Sequence, residues 1–332
     1  MKFLKLLVII SIVCCGLFLS CAKEEANQQE AKTIKIGVSV STMQEAVYTF
    51  MKKAMTDNAE KDNVKLLWIS AENNEDKQIA DVENLLAQDL DALIIHPVNT
   101  GASAQLIQKA KDAGVPVVAM DRLPEGIFVD CYVTADSFKV GQIQAQFLTE
   151  KLQGKGNVII LEGEAGNTVA RDITAGNKDV LQKSPDIKIV VDIAHKAWAR
   201  DLAMATVEDA LTKNNNNIQG ILANNSGMAM GAVQALTAQK LTDKVITVGS
   251  DADKDACQSI IKGELSADVD KMPYELGLES YKTALKLAKG EKADFDKMIE
   301  NGSVQVPVKY TPVRLINKDN VNLMEERWGK LE

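Results

Sequence analysis

Histidine is almost absent from this 332-residue chain: His96 and His195 are the only two. A metal centre built from several imidazoles is excluded, and with neither histidine beside a credible nucleophile a hydrolytic triad has no base. Cysteine is scarce too. Three of the five fall at Cys14, Cys15 and Cys21, which leaves Cys131 and Cys257 far apart, inside expected regular elements. These two read as small buried thiols rather than a disulfide framework, and no zinc-type spacing exists. Basic charge is not in excess. Lys+Arg number 38 against 46 Asp+Glu, a net charge of −8, which argues against nucleic-acid partners. What is present is ordinary for a globular chain, 46% hydrophobic and 25% charged, and the length suggests two domains, each with a real core.

The start of the chain reads as a leader. Lys2 and Lys5 precede an apolar stretch from Leu6 to Leu19. That stretch is below the ~20 residues a permanent membrane span needs, but it suits a signal-peptide core. Phe18-Leu19-Ser20-Cys21 resembles a bacterial lipobox, with phenylalanine where leucine is usual. The expectation is a signal peptide over 1–20, a lipid-anchored Cys21 and a polar tether over 21–32; an uncleaved anchor is the alternative.

Beyond Lys32 short apolar runs alternate with amphipathic stretches. Strands are expected at Ile34–Val40, Val64–Ser70, Ala92–His96, Val115–Met120 and Val129–Val133. Helical spacing is expected at 45–61, around Ile79–Leu86 and at Ala102–Ala113. The pattern then restarts, with strands at Val158–Leu161, Ile187–Ile193, Ile218–Ala223, Val245–Gly249 and Leu265–Val269. The expected helices are Phe138–Leu152, Ala170–Leu181, Leu202–Leu211, Met228–Ala238, Asp255–Lys262 and Tyr274–Lys289, before an extended Val304–Val308. Two successive sets of this kind imply an α/β protein of two doubly wound, Rossmann-like lobes with parallel central sheets and a cleft between them.

In such sheets ligands bind beyond the carboxyl ends of the strands. The residues found there are His96, Asp121-Arg122, Glu162 to Asn167 with Arg171 one turn on, His195 with Trp198, Asn224-Asn225, and Ser250-Asp251. Carboxylates accept hydrogen bonds, guanidinium groups donate and asparagine does both, which matches the hydroxyls of a sugar or polyol. Trp198 adds a flat face for the C–H side of a sugar ring. Each has a blander alternative: a surface ion pair at Asp121-Arg122, packing at Trp198, helix caps at Asn225 and Asp251, a satisfied structural residue at His96. Other chemistry finds no support. Asp251-x-Asp253-x-Asp255 lacks the glycine and glutamate of a calcium loop, and no Gly-Lys-Ser/Thr follows Gly163–Gly166. No cofactor or metal is expected.

At several stretches the chain resembles the periplasmic monosaccharide-binding proteins of ABC importers, from Lys35 to about Asn322. They include Val118-Ala119-Met120-Asp121-Arg122, Leu211-Thr212-Lys213-Asn214-Asn215-Asn216 and Gly249-Ser250-Asp251-Ala252-Asp253. Within that family it is most similar to the D-xylose binders, then the ribose binders. The resemblance implies a type I periplasmic binding protein fold and no catalysis. It gives Asp121 and Arg122 the grip on adjacent hydroxyls, and makes Asn225, Asp251, Trp198, Lys271 and Arg171 further contacts. His96 stands where asparagine often precedes proline. The departure is at the first strand end, where Ser41 to Tyr48 replaces the family's arginine–tryptophan or phenylalanine pair; Tyr48 and Gln44 or Glu45 are the candidates there.

The resemblance also implies three crossovers, near Thr134–Ser137, Ala267–Lys271 and Gly302–Thr311. The lobes would then be 33–133 with about 271–301, and 134–270 with about 302–332. The expected protein is a lipid-anchored, monomeric, periplasmic or cell-envelope component that hands a monosaccharide, a xylose-like pentose or related hexose, to an ABC permease. Alternatives are a binder of inositol or a furanosyl signal serving a chemoreceptor, and a sugar-modifying α/β enzyme. A sugar-responsive regulator is disfavoured by the leader and the lack of an N-terminal helix-turn-helix.

Overall fold

The computed structural model describes residues 33–44 and 46–332. The expected signal peptide, tether and lipid site at Cys21, and Glu45, lie outside the described residues.

The first lobe opens with β1 (Lys35–Val40), α1 (Ala46–Lys61), β2 (Lys65–Ser70), α2 (Glu75–Leu86), β3 (Ala92–Ile95), α3 (Ala104–Asp112), β4 (Val117–Met120) and β5 (Cys131–Ala135). Every residue of β3, β4 and β5 is buried, as expected of parallel strands covered by helices on both faces. The helices begin where a side chain satisfies their free N–H groups: Asn74, for instance, accepts from the Lys77 N–H to cap α2. The chain then leaves for the second lobe through α4 (Ser137–Lys151), which Asp136 caps. There follow β6 (Lys155–Glu162), α5 (Thr168–Leu181), β7 (Asp186–Ala194), a single 3-10 turn at Lys196–Trp198, α6 (Arg200–Lys213), β8 (Gly220–Ala223), α7 (Ser226–Ala238), β9 (Ile246–Ser250), α8 (Lys254–Lys262) and β10 (Ala267–Asp270). It returns to the first lobe with α9 (Pro273–Ala288), β11 (Lys297–Asn301) and β12 (Val304–Thr311). The last elements, β13 (Arg314–Asn317) and the short α10 (Glu325–Trp328), belong to the second lobe.

The strand orders are β11-β12-β5-β4-β3-β1-β2 and β13-β10-β9-β8-β6-β7. Neighbours pair in parallel except at one edge of each sheet, where β11 runs antiparallel to β12 and β13 to β10. The sheets are therefore mixed, and β11 and β13 had no clear signature in the sequence. The chain passes between the lobes at Asp136, between β5 and α4, and at Lys271-Met272, between β10 and α9. The third passage corrects the sequence reading. β12 pairs with β5 through Val308↔Tyr132 to Thr311↔Ala135, so residues 304–311 stay in the first lobe and the chain crosses at Pro312-Val313. Val306 and Val308 are both fully buried in the first lobe's core, which holds the strand there. Cys131 and Cys257 are free and buried, one in each lobe, and burial pushes both thiols up to about 12. Among the described residues no helix is long and apolar enough to cross a membrane.

Candidate functional site

A cleft of about 320 Å³ lies where the strand ends of the two lobes meet. Asp121, Arg122, Trp198, Asn225, Asp251, Lys271 and Tyr48 line it, as do Val47, Met51, Asn167, Val169, Ala197, Pro273 and Leu276.

The two carboxylates occupy equivalent places. Asp121 is the first residue after β4 and its N–H donates to Val133 O of β5; Asp251 is the first after β9 and its N–H donates to Val269 O of β10, both at 2.8 Å. Both have left-handed backbones, with φ of 63° and 117°. That conformation ends the ladder and turns each side chain out of its sheet. Ala197, Trp198, Ala252 and Met272 around the same cleft also have positive φ, between 49° and 56°. Strain of this kind costs about 1–3 kcal/mol per residue and collects at functional sites.

Asp121 is gripped from behind. Its Oδ2 lies 3.3 Å from His96 Nε2, and its carbonyl accepts from Tyr132 Oη at 2.8 Å. Burial raises the Asp121 pKa, but the His96 hydrogen bond and the charges of His96, Lys271 and Arg122 outweigh it and hold it down to about 2. His96 itself is pushed below its ordinary value, first by burial. Lys271, at the second crossover, places Nζ 2.8 Å from Asp251 Oδ1. Burial works against that ammonium, yet Asp251 keeps its pKa above the ordinary lysine value. Burial, with Asp121 and Asp270 adding to it, raises Asp251 in turn against the pull of Lys271. Two acids and two bases thus leave the cleft without excess charge of either sign.

Two asparagines cap helices at the cleft. Asn225 Oδ1 accepts from Met228 N, and Asn167 Oδ1 from Val169 N and Ala170 N; in each the amide NH2 remains to donate. Trp198 stands on the 3-10 turn, its N–H on His195 O at 3.1 Å, and packs against the second lobe's core. Its ring crosses Gly163 so closely that a Cβ there would lie 2.4 Å from Cη2 and Cζ3. Only glycine leaves that space.

Three expected contacts do not line the cleft. His96 is fully buried: its N–H donates to Ser39 O, so it prolongs β3 and its ring lies beneath Asp121 and Tyr48 rather than in the opening. Arg171 has a side chain 71% exposed and paired with Asp172, because the buried face of α5 runs through Ala170, Ile173 and Thr174. Gln44 is exposed to solvent. Asn167, which the sequence reading left out of the contacts, had a usable signal: an asparagine at a helix start, as at Asn225. The apolar residues Val47, Met51, Pro273 and Leu276 had none, since at helical spacing they read as core. Among the described residues no cluster of His, Cys, Asp and Glu is arranged to hold a metal.

Residues 36–292 match the family described as a periplasmic binding protein domain. The chain belongs to this family. The D-xylose-binding periplasmic protein of Haemophilus influenzae is 31% identical over 300 residues, 90% of each chain. The ribose import binding protein of Bacillus subtilis is 32% identical over 267 residues, 80% of this chain and 86% of that one. A solved ABC transporter solute binding protein from Bacillus halodurans, with bound myo-inositol, has a TM-score of 0.76 at 28% identity, covering 89% of this chain and 98% of its own. The fold is that of the type I periplasmic binding proteins. The class is thus a periplasmic sugar-binding protein of ABC transport, not an enzyme.

Proposed function

We propose that this protein captures a single monosaccharide, a xylose-like pentose or a related sugar, between its lobes and delivers it to the permease of an ABC importer. The observation that carries the reading is the convergence of Asp121, Arg122, Trp198, Asn225, Asp251 and Lys271 on one small cleft from both lobes and a crossover. Carboxylate acceptors, cationic donors and an asparagine line it together with a flat indole. Charged groups hydrogen-bonding to hydroxyls contribute about 1.5–3 kcal/mol each, so four of them account for useful affinity. The ligand touches both lobes and favours the closed form by its differential affinity for it; that form is the one the permease meets. Cys21, in its lipobox-like setting, carries the lipid that keeps the protein at the membrane, and Cys21→Ala should release it to the soluble fraction.

A thermal-shift screen over pentoses, hexoses and inositols, followed by calorimetry, tests the reading. At one hundred times Kd a ligand adds about 2.7 kcal/mol to folding, which raises Tm by roughly 4 °C in a chain of this size. If no sugar in the panel moves Tm, the proposal fails.

A further inference from the structure

The cleft is lined by apolar as well as polar residues. Val47 and Met51 on α1, and Pro273 and Leu276 on α9, make the apolar end that the first lobe's helices contribute, while Val169, Ala197 and Trp198 come from the second lobe. Spacings of four and three residues put each pair on one face of its helix. The two helices touch there: a Cβ on Gly277 would lie 2.5 Å from Met51 O. Tyr48, the next residue on α1 after Val47, also lines the cleft, and its hydroxyl lies 3.2 Å from Ser41 Oγ and 3.4 Å from His96 Nε2. Met51 is 4% exposed and Leu276 2%, so these two side chains are almost wholly covered where they border the cleft. A ligand hydroxyl directed there would lose its water and meet carbon.

Resting on the monosaccharide reading above, we infer that this end receives a carbon without a hydroxyl, so that the protein selects sugars lacking a terminal hydroxymethyl group, pentopyranoses or 6-deoxyhexoses, over the matching hexoses. The polar residues that line the same cleft, among them Asp121, Arg122, Asn225, Asp251 and Lys271, hold the ring hydroxyls. The ring methylene of a pentopyranose, or the methyl of a 6-deoxyhexose, then packs on Val47, Met51, Pro273 and Leu276.

Matched sugars differing only at that carbon test this by titration calorimetry on the intact protein: D-xylose, 6-deoxy-D-glucose and D-glucose; then L-arabinose, 6-deoxy-D-galactose and D-galactose. An apolar pocket discriminates by roughly tenfold to a hundredfold per group of this size, so in the series that binds, the hexose should be at least about tenfold weaker than the sugars without the hydroxyl. Val47→Thr, which adds one hydroxyl at the half-buried position of the apolar end, should bring the hexose to within a few-fold of its partner, with Tm measured alongside to establish folding. Equal or tighter binding of the hexose overturns the apolar end while leaving sugar capture intact. No binding in either series, after a negative monosaccharide screen, overturns both.

Discussion

Gly163→Ala tests whether the indole of Trp198 works from the position this fold gives it. The added methyl would sit 2.4 Å from Cη2 and Cζ3 and 2.5 Å from Cε3, whereas carbons rest about 3.5–4.0 Å apart. The ring must retreat by more than about 1 Å, and it has little freedom to do so. Its backbone is left-handed at φ 56°, its N–H is bound to His195 O and its edge is packed on the second lobe's core. Overpacking of this kind costs about 1–3 kcal/mol, or roughly 2–5 °C in Tm here. A ring displaced into the cleft also forfeits stacking worth about 0.5–1.5 kcal/mol, so sugar affinity should fall roughly twofold to tenfold. Calorimetric titration with the sugar that gives the largest thermal shift provides the measurement, on Gly163→Ala, Trp198→Ala and the double variant. If the methyl acts through the indole, Gly163→Ala should weaken binding by no more than about 0.3–0.5 kcal/mol once Trp198 is alanine. The same loss in both backgrounds would refute the mechanism.

Asp121→Ala should abolish measurable binding while the protein stays folded by circular dichroism; an unchanged Kd would remove this carboxylate from the site. Because Asp121 is held down to about 2 and burial lowers His96 below its ordinary 6.5, affinity should be flat between pH 8 and pH 7, and a midpoint above 6.5 in a pH series of titrations would contradict that. Intrinsic fluorescence should change on sugar binding through Trp198, the one tryptophan lining the cleft among the described residues, and Trp198→Phe should remove the change. Glu162 gives a stability prediction. Its hydrogen-bonding contact with Asp192, followed by burial, raises it from 4.5 to about 7 against the pull of Lys178. The native state therefore binds the extra proton, and stability present below pH 4.5 is lost as the pH rises to 7. The full rise corresponds to roughly 3 kcal/mol, which solvent screening of this partly exposed group cuts to about 1 kcal/mol. Glu162→Gln should thus be more stable than the parent in urea at pH 8 and equal to it at pH 4.5; a difference independent of pH would reject the account.

The apolar runs and their alternation with amphipathic segments were enough to give two α/β lobes and to point at the strand ends. A buried parallel strand has to be a continuous apolar run, and the chain has to turn polar where that run stops. Asp121 after Val117–Met120 and Asp251 after Ile246–Ser250 were legible for that reason, as was Asn225 as a cap.

Which way a side chain faces once past the strand end was not legible. His96 continues β3 by one residue and sinks beneath the cleft, while Asp121 leaves β4 in a left-handed turn and enters it. Nothing local distinguishes the two, since the choice depends on backbone dihedrals that neighbouring strands impose. Arg171 was misread because one turn into a helix the facing side is set by what packs beneath. Residues 304–311 were recognisable as a strand, but alternation fixes which residues face inward and not which sheet accepts them. That assignment, like the apolar end assembled from α1 and α9, arises from contacts between segments far apart in the sequence, and tertiary packing alone decided it.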